Sequence, residues 1–173
     1  GQEMTLEGAT LQVLHTPGHT ADSCCFSVEM DEETCSGLFT GDTVLGWSPT
    51  MFDDLASYEM SVTSLQRKVI AQPVILFPGH GATVPAERAV SYMKSILMGL
   101  LNRERMILRT LQESETSMSV DDLCSNLYNS SMAGFMAKKM VEQHLHSLVS
   151  KGQAEEVPGW FSTSTFQATE RVA

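Results

Sequence analysis

The sequence predicts an α/β domain followed by a smaller tail that is mainly helical. Three observations lead to this prediction. Short apolar runs in the first eighty residues have the length and alternation of strands. Apolar residues then recur at spacings of three and four, as they do on one face of a helix. Glycine-containing loops follow three of the apolar runs, and each loop carries a histidine or an aspartate.

The first elements are predicted strands. Three runs have this character: residues 10–15, residues 23–28 and residues 37–40. The first of them alternates apolar and polar side chains, which is typical of a half-buried strand. Residues 46–56 contain glycine, proline and paired aspartates, and this composition indicates a loop.

Two helices and one more strand are predicted next. A helical period begins at Tyr58 and is ended by Pro73. Residues 74–77 are continuously apolar, which suits a strand buried on both faces. A second helix is expected between Pro85 and about Glu113.

The last sixty residues predict a different arrangement. Ser119 with Asp122 three positions later resembles the capping box that begins a helix. A further helix is expected over residues 132–150 and a β-hairpin over residues 153–161. Helices followed by a hairpin are the element order of a winged helix. We therefore expect a first domain over residues 1–113 and a winged-helix-like domain over residues 114–173.

Charge is unevenly distributed along the chain. The net charge is −10, and residues 1–85 hold only two basic residues, Arg67 and Lys68, against eleven acidic ones. Bulk electrostatics therefore disfavour a polyanion over the first half of the chain. A bound metal ion would reverse this field locally, because bound cations dominate their surroundings.

Composition also bounds the environment in which the protein works. No run approaches 18 consecutive apolar residues, so we expect no membrane span. The cysteines at positions 24, 25, 35 and 124 form no Cys-x-x-Cys pair. This pattern favours reduced thiols, and we expect an intracellular protein, either cytoplasmic or mitochondrial.

Three motifs carry the residues on which chemistry could depend. They are His-Thr-Pro-Gly-His-Thr at residues 15–20, Phe-Thr-Gly-Asp-Thr at residues 39–43 and Phe-Pro-Gly-His-Gly at residues 77–81. Strand ends deliver side chains to one rim of a sheet, and glycine lets the backbone turn tightly there. Imidazole and carboxylate together suit zinc, manganese or iron.

In this order, the three motifs resemble the second half of the metallo-β-lactamase superfamily signature. The segment 52–55, Phe-Asp-Asp-Leu, and the helical tail are similar to a branch that cleaves single-stranded RNA. The resemblance implies the C-terminal half of an αββα sandwich and two zinc ions. It implies that His19 ligates the first ion, that the catalytic Asp42 bridges both, and that His80 ligates the second. His15 is expected to support the site without binding metal.

One part of the family pattern has no counterpart in this chain. The first motif of the family, His-x-His-x-Asp-His, is absent, and the only His-x-His is His144-Leu-His146 in a predicted helix, where both residues are expected to be ordinary helix positions. Three donors remain for two ions, so we expect this chain alone to bind metal weakly and to hydrolyse little. Half of a sandwich leaves apolar faces uncovered. The expected partners of these faces are therefore the missing N-terminal half of the domain or a second copy in a homodimer. The resemblance to the nuclease branch implies single-stranded RNA as a further partner.

Two other functions stay open. Thioester hydrolysis of the glyoxalase II type uses the same metal motifs. A non-catalytic fragment that binds a protein or a nucleic acid through its helices and hairpin is the alternative from a different class.

Overall fold

A computed structural model describes residues 2–30, 36–47, 50–128, 134–158 and 164–170. In chain order the elements are β1 (Glu3–Leu6), β2 (Ala9–His15), β3 (Cys24–Met30), β4 (Gly37–Gly41), α1 (Leu55–Ala71), β5 (Ile75–Pro78), α2 (Ala86–Glu113), α3 (Val120–Leu127), α4 (Phe135–Ser150), β6 (Ala154–Val157) and β7 (Thr165–Ala168). Contacts divide the chain into two compact units, residues 1–98 and residues 99–173. The α/β class predicted from the sequence is confirmed.

The first unit contains a five-stranded sheet with the order β1-β2-β3-β4-β5. The pairs from β1 to β4 are antiparallel, and β4 pairs with β5 in parallel. The strand β1 was not predicted, because its residues Glu3–Leu6 are all exposed and carry little of the burial pattern that marks a strand. The strands β2, β4 and β5 run in the same direction, so the loops that follow them lie at the same edge of the sheet.

One face of this sheet is covered by α1. The register places Gln12, Ser27, Leu38 and Leu76 in one row across four strands. Lys68 of α1 donates a hydrogen bond to the Gln12 side chain, and the last three residues of the row are buried. Burial of such a row against the apolar stripe of α1 stabilises the unit at roughly 25 cal/mol per Å² of apolar surface.

The opposite face of the sheet is apolar and open. The register forms a second row from Val13, Phe26, Phe39 and Phe77, in which Phe26 and Phe39 are exposed and the other two are partly exposed. The rings of Phe39 and Phe77 stack with centroids 4.9 Å apart. The prediction that residues 74–77 are buried on both faces is wrong. Phe77 belongs to the open row, and only the face of Leu76 is covered.

The long helix α2 contributes to the cores of both units. Ala89 and Met93 are buried in its first half, whereas Ile107 and Leu111 pack into the core of the second unit. The compact units therefore divide at Met98–Gly99, inside α2, although the sequence had suggested a division after Glu113 at the end of the helix.

The second unit packs the end of α2 with α3, α4 and the antiparallel pair β6–β7. Its core is made of Leu123 from α3, Leu145 and Leu148 from α4, and Phe166 from β7, together with the end of α2. The capping box predicted at Ser119 is confirmed, since its side chain and that of Asp122 each accept from the other residue's backbone N–H. The predicted helix start at residue 132 and the hairpin residues 159–161 lie outside the described residues. The winged-helix assignment stays a prediction.

Two expectations about the whole chain can be compared with the described residues. None of their helices is both long and apolar enough to cross a membrane. The thiols of Cys24, Cys25 and Cys124 are free, while Cys35 lies outside the described residues.

Candidate metal centre

The structure brings His19, Asp42 and His80 together at one rim of the sheet. Nε2 of His19 lies 3.7 Å from Oδ2 of Asp42, and Nε2 of His80 lies 3.8 Å from Oδ1 of the same carboxylate. Each residue stands on a different loop, after β2, β4 and β5 respectively. The Asp42 carboxylate therefore has one imidazole facing each of its oxygens.

The orientation of the His19 ring is fixed from behind. Its Nδ1 lies 2.7 Å from the carbonyl oxygen of Met51, with the Thr50 hydroxyl 3.3 Å away. Because a carbonyl oxygen only accepts, Nδ1 is the nitrogen that carries the proton in this hydrogen bond. In the neutral ring Nε2 is then left with its lone pair directed at Asp42. Metal-binding histidines are oriented in this way by the atoms around them.

The segment Phe52–Leu55 holds the loop of His19 in place. The backbone N–H groups of Asp53 and Asp54 both donate to the carbonyl oxygen of Gly18, at 2.7 Å and 3.2 Å. The side chain of Asp54 also caps the first turn of α1 by accepting from the N–H of Ser57. This segment therefore acts on the candidate site through the backbone next to His19.

Tyr58 connects the loop of His19 to the loop of Asp42. Gly18 has φ +132°, and a Cβ at this position would overlap the backbone of Tyr58. The buried Tyr58 hydroxyl donates to the carbonyl oxygen of Thr43 at 2.9 Å. Burial raises the pKa of Tyr58 well above its usual range, so the hydroxyl keeps the proton that it donates.

Buried hydrogen bonds among two threonine hydroxyls and a cysteine thiol hold the loop of Asp42 in place. The hydroxyl of Thr16 lies 3.2 Å from that of Thr43 and 3.3 Å from the thiol of Cys25. The hydroxyl of Thr40 donates to the carbonyl oxygen of Val44 at 2.7 Å. These hydrogen bonds satisfy polar groups that would otherwise be buried without partners.

The loop of His80 is attached directly to the loop of Asp42. The N–H of Gly79 donates to the carbonyl oxygen of Gly41 at 2.8 Å, and a Cβ at position 79 would lie 2.7 Å from Oδ1 of Asp42. The carbonyl oxygen of His80 accepts from the N–H of Gly46 at 2.9 Å. Glycine at position 79 therefore leaves the space in which the carboxylate sits.

The three donors fit zinc in kind and spacing, and they are too few. Two ligands at about 2.1 Å from one tetrahedral ion lie roughly 3.4 Å apart, close to the two separations measured here. Zinc sites nevertheless use three or four protein ligands. Within the described residues, no group of three or more His, Cys, Asp and Glu side chains is arranged so that it could hold a metal ion. How tightly this chain alone binds metal stays a prediction.

The other histidines are placed as follows. Nε2 of His15 lies 2.9 Å from the carbonyl oxygen of Ala21 and helps to close the loop that carries His19. His144 is fully buried in the second unit, and burial lowers its pKa to about 4, with Arg103 acting in the same direction. His146, two residues further along α4, is exposed.

Sequence reasoning missed the residues that orient the three donors. Met51 acts through its carbonyl oxygen, for which a sequence carries no signal. In the sequence, Tyr58 is visible only as part of the apolar stripe of α1. Tyr92 of α2 donates to the carbonyl oxygen of Leu45 at 2.6 Å and was not singled out at all.

Comparison with known proteins places these features in a family. No protein-family model matches the chain. It is 38% identical over 121 residues to the β-lactamase-like protein 2 homolog of Caenorhabditis elegans, covering 70% of this chain and 38% of that protein. It is 30% identical over 185 aligned positions to an atrochrysone carboxyl ACP thioesterase of Passalora fulva, covering 99% of this chain and 54% of that protein.

Solved structures show the same fold. A metallo-β-lactamase family protein of Thermus thermophilus aligns with 97% of this chain at a TM-score of 0.74 and 17% identity. A β-lactamase domain protein of Burkholderia ambifaria aligns with 98% at a TM-score of 0.76 and 18% identity. The chain spans 52% and 50% of these two structures, and about half or less of the two sequence relatives. From its fold and its relatives together, the chain belongs to the metallo-β-lactamase superfamily.

Proposed function

We propose that this chain supplies one side of the active site of a metal-dependent hydrolase, and that the reaction is cleavage of a phosphodiester bond in single-stranded RNA. The observation that carries the proposal is the Asp42 carboxylate, faced by the Nε2 atoms of His19 and His80. A carboxylate with an imidazole on each oxygen is an arrangement that a cation would stabilise. His19, Asp42 and His80 would be its protein ligands.

Zinc, when bound, would lower the pKa of a coordinated water and stabilise negative charge that develops on the substrate. The residues of this chain orient the donors. Met51 directs the lone pair of His19 toward the site, and the Gly41–Gly79 hydrogen bond holds the two loops of Asp42 and His80 at a fixed separation. Further ligands would come from outside this chain, in the part of the domain that carries the family's first motif.

A second candidate substrate is an acyl thioester. It is favoured by the thioesterase names of several relatives, one of which aligns with almost the whole chain. RNA remains the first choice, because the segment 52–55 and the helical tail resemble the branch that cleaves single-stranded RNA.

Hydrolysis assays test the proposal. A polypeptide that joins this chain to an upstream segment with the His-x-His-x-Asp-His motif should cleave a single-stranded RNA oligonucleotide in the presence of zinc. Asp42→Ala should lower the rate by at least about 100-fold, because a metal ligand is lost. Glu3→Gln, an exposed carboxylate on β1, is the control and should leave the rate unchanged.

The same preparations are assayed with a small acyl thioester. Zinc-dependent thioester hydrolysis without RNA cleavage would replace the nuclease with the thioesterase. Equal rates for wild type and Asp42→Ala on both substrates would remove this site from the reaction altogether.

A further inference from the structure

Trp47 stands out among the apolar side chains near the candidate metal centre. Its side chain is 72% exposed, although tryptophan is among the most buried residues on average. It lies in the segment between Asp42 and the start of α1, and this segment is bonded to the loop of His80. A large indole in water beside a site indicates a surface that another planar group could cover.

The backbone that presents Trp47 is firmly held. The N–H of Gly46 donates to the carbonyl oxygen of His80, and a Cβ at Gly46 would overlap the backbone of Ala82. On the other side, the Tyr92 hydroxyl donates to the carbonyl oxygen of Leu45 at 2.6 Å. Trp47 therefore follows two residues that are both fixed to neighbouring elements.

The indole itself rests on the residue after His80. Gly81 has φ +90°, and a Cβ there would overlap Cδ1 of Trp47. Only glycine at position 81 leaves room for the edge of the Trp47 ring. Because the ring contacts Gly81 by this edge, most of its surface stays open to solvent. The Trp47 ring and the His80 imidazole are thus presented by the same pair of bonded loops.

We propose that Trp47 binds a nucleobase of the single-stranded RNA by stacking, next to the scissile phosphodiester. This inference rests on the proposed function and names a contact that the metal ligands cannot supply. Unpaired bases offer flat π faces, and stacking on an aromatic side chain does not depend strongly on sequence. In a duplex the same faces are covered by neighbouring base pairs.

The charge of the first half of the chain supports stacking as the main source of affinity. Residues 1–85 contain two basic residues, and the ammonium of one of them, Lys68, lies 3.5 Å from the carboxylate of Glu29. Proteins that hold a polyanion through phosphate contacts need several free cations. An uncharged aromatic ring binds a base without them.

Fluorescence tests the proposal directly, because Trp47 and Trp160 are the only tryptophans. In a Trp160→Phe background, the metal-free chain is titrated with a single-stranded RNA decamer and, separately, with an abasic decamer of the same backbone. We expect saturable quenching of Trp47 by the RNA and none by the abasic strand. Equal quenching by both would overturn the proposal, since it would show that binding depends on the backbone.

Variants measure how much the ring contributes. Binding of a labelled RNA decamer should weaken by about 5- to 150-fold in Trp47→Ala, the range that corresponds to one stacked base, and by less in Trp47→Phe. Met60→Ala removes another exposed apolar side chain and should bind as the wild type does. Unchanged binding by Trp47→Ala, or a Trp47 emission that responds to protein concentration alone, would assign the ring to protein contact and overturn the proposal.

The outcome is separable from that of the proposed function. Asp42→Ala should abolish cleavage in the polypeptide joined to the upstream segment, and should keep the base-dependent quenching of Trp47 in the isolated chain. Quenching without any Asp42-dependent cleavage would support the stacking site and reject the hydrolase. Cleavage that depends on Asp42 but not on Trp47 would support the hydrolase and reject the stacking site.

Discussion

At the scale of single residues, the candidate site depends on glycines that permit close backbone approach. Gly18 is the clearest case, because its φ of +132° and its contact with the backbone of Tyr58 both exclude a side chain. Gly8 also has a positive φ, +77°, but nothing lies within 4 Å of the position of its Cβ. A side chain at Gly8 meets only backbone strain, whereas a side chain at Gly18 meets both strain and steric overlap. Substitutions at the two positions therefore distinguish the two costs.

We expect Gly18→Ala to destabilise the chain by about 2–4 kcal/mol, the sum of the strained backbone and the forced displacement of Tyr58. Gly8→Ala should cost about 1 kcal/mol, because only the strain applies. Urea denaturation followed by circular dichroism measures both. Equal losses in the two variants would show that the loop of His19 can move away from Tyr58 at little cost.

His144 makes stability depend on pH. Its pKa falls from 6.5 in the unfolded chain to about 4 in the fold, because burial disfavours the charged ring. Between these values the unfolded chain binds more protons, so stability decreases as the pH falls from 6.5 toward 4. The groups Arg103 and Lys151 oppose the charge on the ring, and Glu104 favours it.

The size of this dependence can be measured by substitution. Over that pH window the wild type should lose about 3 kcal/mol more stability than His144→Leu. The control His146→Gln removes a histidine from the same helix and should keep the wild-type loss. A His144→Leu variant with an unaltered pH dependence would mean that another group titrates.

At the scale of elements, α2 and α4 are connected by a carboxylate with little exposure to solvent. The ammonium of Lys151 lies 2.9 Å and 2.7 Å from the two oxygens of Glu104, and the hydroxyl of Ser147 donates to the second at 3.0 Å. The Glu104 side chain is only 12% exposed. Another ion pair on the same helix, Arg109 with Glu113, is largely exposed, since 77% and 56% of the two side chains are accessible to solvent.

Glu104→Ala should therefore destabilise the second unit by about 2 kcal/mol, because the Ser147 hydroxyl and the partly buried Lys151 ammonium both lose the carboxylate that they bind. Glu113→Ala is the matched control and should produce no measurable change, since exposed pairs are screened by water. Thermal unfolding of the two variants decides the question. Similar shifts in both would indicate that the Glu104 carboxylate is as well solvated as that of Glu113.

Most of these elements could be predicted from the sequence, and most of the interactions that orient the site could not. The strands before residues 19, 42 and 80 were visible as apolar runs, and the three donors were visible as motifs after them. Met51 and Tyr58 contact the loop of His19 through backbone atoms. Every residue type has these atoms, so the sequence does not mark the two positions. The burial of side chains on β1 and β5 depends on which elements cover each face of the sheet. Local sequence patterns do not contain this information.

At the scale of the whole molecule, one face of the five-stranded sheet is apolar and open to solvent. Two rows of apolar residues cross it, one with the three phenylalanines and one with Met4, Leu11, Val28 and Ile75. Sheets normally bury such a face against a second layer at about 10 Å. We propose that another polypeptide covers this face, either the other half of the domain or, for this chain alone, a second copy.

Self-association of the isolated chain is the consequence that can be tested. Sedimentation velocity should show a species that grows with protein concentration, because the apolar surface is removed from water by stacking face to face. Phe39→Ser, in the centre of the open row, should shift the equilibrium toward monomer by at least about tenfold, the equivalent of roughly 1.4 kcal/mol of lost apolar burial. Ile70→Ser changes an apolar side chain on α1 that is even more exposed, at 59% against 45% for Phe39, and should leave the equilibrium unchanged. Circular dichroism confirms that both variants remain folded. A chain that stays monomeric at every concentration would show that the face is stable in water, and the need for a covering layer would no longer follow from the sheet.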